Sequence, residues 1–269
     1  MDIIFVAGPP RSGTTLTAGL LQGENTYPML PECTYLSRIM SLCNEIQTYP
    51  DKTRYESYIK DDDSLYRLFK PTVQAMIENS ITGFDDKKEI LVLKDPQLSM
   101  ILEILPKLVP FKFKIVACVR DPRDVVASWL NVLKKKREPS HWLSFLTGKN
   151  KPYSFEKEIS QLFEYYYRIM QAEKVMSDDT FKVFRYEDVI TKIGAQALAS
   201  FTGCNMEVGE AYASRSFEFD KDDPFNSLNY GKKVTSGSLR RFEKDLSSSE
   251  ITQVEEMFSA VMSWAGYER

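Results

Sequence analysis

The sequence predicts an α/β fold: an open, mainly parallel sheet with helices on both faces. Three observations carry that expectation. Short apolar runs rich in Val, Ile and Phe alternate with longer stretches at helical spacing, which is the pattern of βαβ units. The first run, Ile3–Ala7, leads at once into a Gly/Pro-bearing turn and a helical pattern. The 269 residues are enough for one large domain with a substantial core, so a single domain over 1–269 is expected.

The strand candidates are Ile3–Ala7, Ile90–Leu93, Phe113–Val119 and Thr180–Phe184, each bounded by charged or turn residues. Thr14–Leu21 is the helical pattern after the first turn. Ser64–Asn79 sets Leu65, Leu68, Phe69, Val73, Met76 and Ile77 close to helical spacing. Pro122–Lys135 carries its proline near the first turn, where a missing N–H does little harm. Phe155–Met176, Thr191–Phe201 and Ser248–Trp264 complete the set. Asp61–Asp63 and Lys134–Arg137 read as solvated turns or helix ends. Glu138–Pro152 and Phe217–Val234 are polar and rich in turn formers, the composition of long loops that often act as lids.

Composition excludes several classes. Hydrophobic residues make up 43%, charged residues 27%, and the net charge is -3, which argues against a general nucleic-acid binder. No signal-peptide pattern is seen, and no apolar stretch approaches the roughly 18 residues of a membrane span. Cys33, Cys43, Cys118 and Cys204 lack CxxC spacing and read as reduced thiols of a cytoplasmic protein. With His141 as the single histidine, a His-rich metal centre is impossible.

The first turn reads Gly8-Pro-Pro-Arg-Ser-Gly-Thr-Thr15. Gly8, Gly13 and Thr15 fall where the phosphate-binding pattern G-x-x-x-x-G-K-[ST] wants them, but Thr14 stands in place of its lysine. The fold is therefore expected to be P-loop-type. Backbone N–H groups at Gly13, Thr14 and Thr15, and the hydroxyls of Ser12, Thr14 and Thr15, suit an oxyanion. Arg11 supplies a planar fork of donors matched to phosphate or sulfate oxygens.

A second constellation is Val119-Arg-Asp-Pro-Arg-Asp-Val-Val-Ala-Ser-Trp129. Arg120 falls at a strand's C-terminal end, where open α/β sheets bind ligands. Ser128 lies on the helix that follows. Two anion sites on one sheet edge suggest a nucleotide with phosphates at both ends.

These motifs, with Phe184-Arg-Tyr-Glu-Asp-Val189, resemble the sulfotransferases that use 3′-phosphoadenosine 5′-phosphosulfate (PAPS). The resemblance extends over most of the chain. It implies that Pro10, Arg11, Ser12, Gly13, Thr14 and Thr15 hold the 5′-phosphosulfate, and that Arg120 and Ser128 hold the 3′-phosphate. It places Tyr186 against the adenine. Lys232-Lys-Val-Thr-Ser-Gly-Ser-Leu-Arg-Arg-Phe242 resembles the late loop that closes over PAPS, with Lys232, Ser238 and Arg240 as ligands and Phe242 standing where tryptophan is usual. No metal is required.

Attack on sulfur calls for a general base on the acceptor side. Relatives with a K-x-H pattern use that histidine, but Leu91-Val-Leu-Lys94-Asp-Pro96 has proline in its place. Glu32 resembles the base of protein-tyrosine and some carbohydrate sulfotransferases. Lys94, at the end of a strand expected to be central, would stabilise charge on the sulfuryl and leaving phosphate together with Arg11. Asp95 and Asp124 would orient these cations, and His141 would lie on the surface. Residues 35–44, 49–69 and 138–153 are candidate acceptor surfaces. A carbohydrate, a small alcohol, a phenol and a peptide tyrosine all remain open as acceptors. Two other readings compete: a P-loop phosphotransferase, and a non-catalytic nucleotide-binding module.

Overall fold

The computed structural model describes residues 1–49, 56, 58–136, 154–205 and 239–268. Among them, four parallel strands form one sheet in the order β2-β1-β3-β4. They are β1 (Asp2–Ala7), β2 (Ile90–Lys94), β3 (Phe113–Val119) and β4 (Phe181–Arg185). Val6 lies opposite Lys94, Ala7 opposite Ala117, and Val119 opposite Arg185. This register aligns the C-terminal strand ends along one edge.

Both sheet faces are covered, which explains why the strands read as continuous apolar runs rather than alternating ones. Ile3, Phe5, Leu91, Leu93, Ile115 and Ala117 enter one core, and Ile4, Val6, Val92, Val116 and Cys118 the other. The second core is closed by α1 (Thr14–Leu20) through Ala18, and by the helix Lys192–Thr202 through Leu198. The first is closed by α2 (Thr34–Thr48), α3 (Asp62–Asn79), α5 (Pro122–Lys136), α6 (Phe155–Val175) and the C-terminal helices. The α/β, P-loop-type architecture agrees with the sequence reading.

Three local findings differ from that reading. β2 is not central: among the described residues it borders β1 alone, and the segment Thr26–Cys33 runs beside it, with Tyr27 N–H donating to the Ile90 carbonyl at 2.9 Å. Two 3-10 turns, Pro96–Met100 and Leu102–Ile104, and α4 (Leu105–Leu108) fill the crossover to β3. The stretch Ser248–Trp264 is two helices, α9's successors Ser248–Met257 (α10) and Ser259–Ala265 (α11), where α9 is Phe242–Asp245 and α7 and α8 are Tyr186–Val189 and Lys192–Thr202. The break falls at Phe258, which is fully buried and packs edge-on against Phe163 and Tyr166, each at 5.5 Å. Fixing that ring in the core outweighs helix continuity.

Asp61 caps α3 by accepting from Ser64 N–H at 2.7 Å, and Asp62 and Asp63 occupy its first turn. No helix among the described residues is long and apolar enough to cross a membrane. The candidate lids 138–152 and 217–234, and His141, lie outside the described residues.

Candidate active site

The loop after β1 is shaped by close approach. A Cβ on Gly8 would stand 2.5 Å from the Cys118 carbonyl and 2.6 Å from Ser12 Oγ, so only glycine fits beside β3. Gly8 N–H donates to Ser99 Oγ at 2.8 Å. Arg11 (φ 73°) and Gly13 (φ 99°) are both left-handed and turn the chain around Ser12. A Cβ on Gly13 would lie 2.5 Å from Tyr186 Cδ2, so the Tyr186 ring sits on the loop itself. Pro10, Arg11, Gly13 and Thr15 are partly exposed, whereas Ser12 and Thr14 are buried. Among the described residues, Ser12 Oγ has no hydrogen-bond partner. A buried hydroxyl in that state lacks a bond worth making.

Arginines converge on this loop. Arg11 Nε donates to Ser128 Oγ at 3.1 Å. Burial holds the Arg11 guanidinium below its ordinary pKa, and the charges of Arg120 and Arg241 push the same way, with Glu32 opposing. Arg120 is buried, lies 4.7 Å over the Tyr186 ring, and bonds Asp124 Oδ2 at 3.1 Å. Its carbonyl accepts from Tyr166 Oη at 2.6 Å. Asp124 therefore orients Arg120 rather than Lys94 or Arg11. Arg240 directs its side chain to exposed Glu243, while the adjacent Arg241, not singled out from sequence, is the one whose charge reaches Arg11. Two neighbouring arginines are indistinguishable by pattern, so only backbone conformation separates them. Lys232 and Ser238 lie outside the described residues.

At the end of the adjacent strand, β2, is an acid–base pair. Lys94 Nζ bonds Glu32 Oε1 at 2.8 Å, with the lysine 4% and the glutamate 47% exposed. The chain brings Glu32 there because Cys33 N–H donates to the Lys94 carbonyl at 3.0 Å. Asp95 does not orient Lys94 as expected. Its carboxylate accepts from Ser37 Oγ at 3.0 Å and Gln97 N–H at 2.9 Å, tying α2 to the strand end. Burial raises the Asp95 pKa, its bond from Gln97 opposes this, and the charge of Glu32 adds to the rise. Burial also pushes the neighbouring Cys33 thiol up to about 12, so it is no nucleophile.

A model of the sulfotransferase family matches residues 3–207. The chain belongs to the sulfotransferase family. Among solved structures, it resembles the sulfotransferase domain of the Synechococcus PCC 7002 olefin synthase (14% identity, TM-score 0.54, covering 96% of this chain and 94% of that one). It also resembles the sulfotransferase domain from the curacin biosynthetic pathway (19% identity, TM-score 0.51, 99% and 98% covered). At these identities the likeness is one of fold. No curated protein matches the chain. The sulfotransferase fold thus sets the loop, the Arg120 strand end and the Lys94 strand end side by side on one edge.

Proposed function

We propose that this sulfotransferase moves the sulfuryl group of PAPS to a hydroxyl of an acceptor and releases adenosine 3′,5′-bisphosphate (PAP). The observation that carries the reading is the grouping of charge at Arg11, on which Arg120 and Arg241 both act, in a loop whose buried Ser12 hydroxyl has no hydrogen-bond partner among the described residues. Like charges held together in a partly desolvated place favour an anionic occupant. The donor set fits a nucleotide carrying phosphates at both ends: Pro10–Thr15 for the 5′ side, Arg120 and Ser128 for the 3′-phosphate, and Tyr186 for the base. Lys232, Ser238 and Arg240 belong to the same proposal through the late-loop motif.

PAPS supplies the sulfuryl group, with PAP as the leaving group. Glu32 takes the acceptor's proton as the acceptor oxygen attacks sulfur. Its Oε1 is held by Lys94, and on this reading the proton passes to Oε2. Lys94 and Arg11 supply fixed positive charge where the bridging oxygen becomes negative as the S–O bond breaks. The resemblance and the donor set require no metal. The acceptor belongs to the hydroxyl class: carbohydrate, small alcohol, phenol or peptide tyrosine. Tyr35, 78% exposed in the first turn of α2 just beyond Glu32, is a surface such an acceptor would meet. The chain would work as one domain in the cytoplasm.

The test is a sulfuryl-transfer screen with labelled PAPS against mixed hydroxyl acceptors, beside thermal stabilisation by PAP and by ATP with magnesium. Transfer, with stabilisation by PAP alone, supports the proposal. Stabilisation by ATP with magnesium and not by PAP overturns it in favour of a phosphotransferase.

A further inference from the structure

Asp124 is 2% exposed, and its carboxylate meets donors from two distant parts of the chain. Arg120 Nη2 reaches Oδ2 at 3.1 Å. Arg240 N–H donates to the same oxygen at 3.0 Å, and Phe242 N–H to Oδ1 at 3.1 Å. Arg240 is left-handed, at φ 54°, and Arg241 right-handed, at φ -63° and ψ -28°. Consecutive residues of opposite hand turn their N–H groups into one concavity that binds an anion. Here that anion is a side chain of the same protein. A left-handed arginine persists only where its surroundings over-determine it, and two bonds to a buried carboxylate do so.

The segment is fastened to α5 at two further points. Phe242 packs under the Arg123 guanidinium at 4.4 Å. Asp245 Oδ2 accepts from Asn131 Nδ2 at 2.8 Å and from Arg241 Nη2 at 2.9 Å. Arg123 is itself pinned by Asp121, Glu255 and the Glu268 carbonyl. Asp124 is the one of these anchors that also holds Arg120.

We infer that Asp124 is a positioning residue which couples the 3′-phosphate arginine to the late segment: one carboxylate both aims Arg120 and docks Arg240–Phe242. The inference rests on the PAPS reading. It makes selection of a 3′-phosphate depend on the segment being in place, because losing the carboxylate releases both at once. Asp124 acts through Arg120 and through the backbone that carries Arg241.

The experiment uses the full chain with Asp124→Asn, which keeps one acceptor oxygen but no charge, and Asp124→Ala. PAP and adenosine 5′-phosphate affinities are measured, and amide hydrogen exchange is followed without nucleotide. The preference for PAP should fall about tenfold or more in both variants, the scale of a lost charge-assisted contact. Exchange should quicken at 239–245 while β1 and β3 keep their protection. In an Arg120→Ala background, Asp124→Asn should cost little further preference. An unchanged preference, an equal loss for both nucleotides, or faster exchange throughout the chain would each overturn the inference. If the unmodified protein binds both nucleotides equally, the PAPS reading fails instead. Exchange then decides alone whether Asp124 docks the segment, and unchanged protection at 239–245 refutes it.

Discussion

Arg11 Nε donates to Ser128 Oγ at 3.1 Å, joining residues 117 positions apart. The contact exists because β1 and β3 are neighbours, so the turn after one faces the helix after the other. The contact joins the two anion motifs, and on the proposed reading bound PAP engages both. Arg120→Ala should weaken PAP by about 1.5–3 kcal/mol, and Ser128→Ala by about 0.5–1.5 kcal/mol, the ranges for charged and neutral hydrogen bonds. Calorimetric titration with PAP and adenosine 5′-phosphate checks both. Equal affinity of the unmodified protein for the two nucleotides sinks the 3′-phosphate assignment.

Removing Arg11 tests the loop itself. Arg11→Ala should weaken PAPS and slow transfer without creating a need for magnesium. Activity lost in EDTA and restored by magnesium would instead point to phosphoryl chemistry.

The Glu32–Lys94 pair separates proton transfer from charge stabilisation. Glu32→Gln should lower turnover at saturating PAPS by about 100- to 10,000-fold, with PAP affinity little changed. Lys94→Ala should also slow transfer but keep the Glu32 limb of the pH profile. His141→Ala should be nearly silent. Near-normal turnover in Glu32→Gln beside a dead His141→Ala would show that the base has been misassigned.

Gly13→Ala should damage the loop twice over. A left-handed alanine costs about 1–2 kcal/mol. Its Cβ would also meet Tyr186 Cδ2 at 2.5 Å. We expect a lower melting temperature and weaker PAP binding. A variant with unchanged PAP affinity would mean that the Tyr186 ring moves without consequence for the nucleotide.

Asp95 offers a pH signature. Its pKa is raised in the fold, so its protonated form is favoured there. The stability it contributes is complete below the ordinary Asp value of about 3.9 and is lost as pH rises through its raised pKa. Asp95→Asn keeps an acceptor for Gln97 but cannot ionise. Relative to the unmodified protein, the variant should gain melting temperature across that rise and then level off. A difference that stays constant with pH refutes the assignment.

Sequence by itself determined the elements and the local chemistry. The run Ile3–Ala7 and the glycines at 8 and 13 announce a strand, a phosphate turn and a helix, because apolar period and steric allowance are properties of neighbouring residues. Val119–Trp129 is legible for the same reason. Tertiary structure alone decided which of these meet. The strand order places β1 between β2 and β3, which brings Lys94, the loop and Arg120 to one edge. It also moved β2 from the expected centre, set Glu32 on Lys94, gave Asp95 to Ser37 and Gln97, and chose Arg241 over Arg240 as the neighbour of Arg11. Periodicity reports which face of an element is apolar. It does not report which other element covers that face, because parallel partners are joined by long crossovers and selected by packing between residues far apart in the chain.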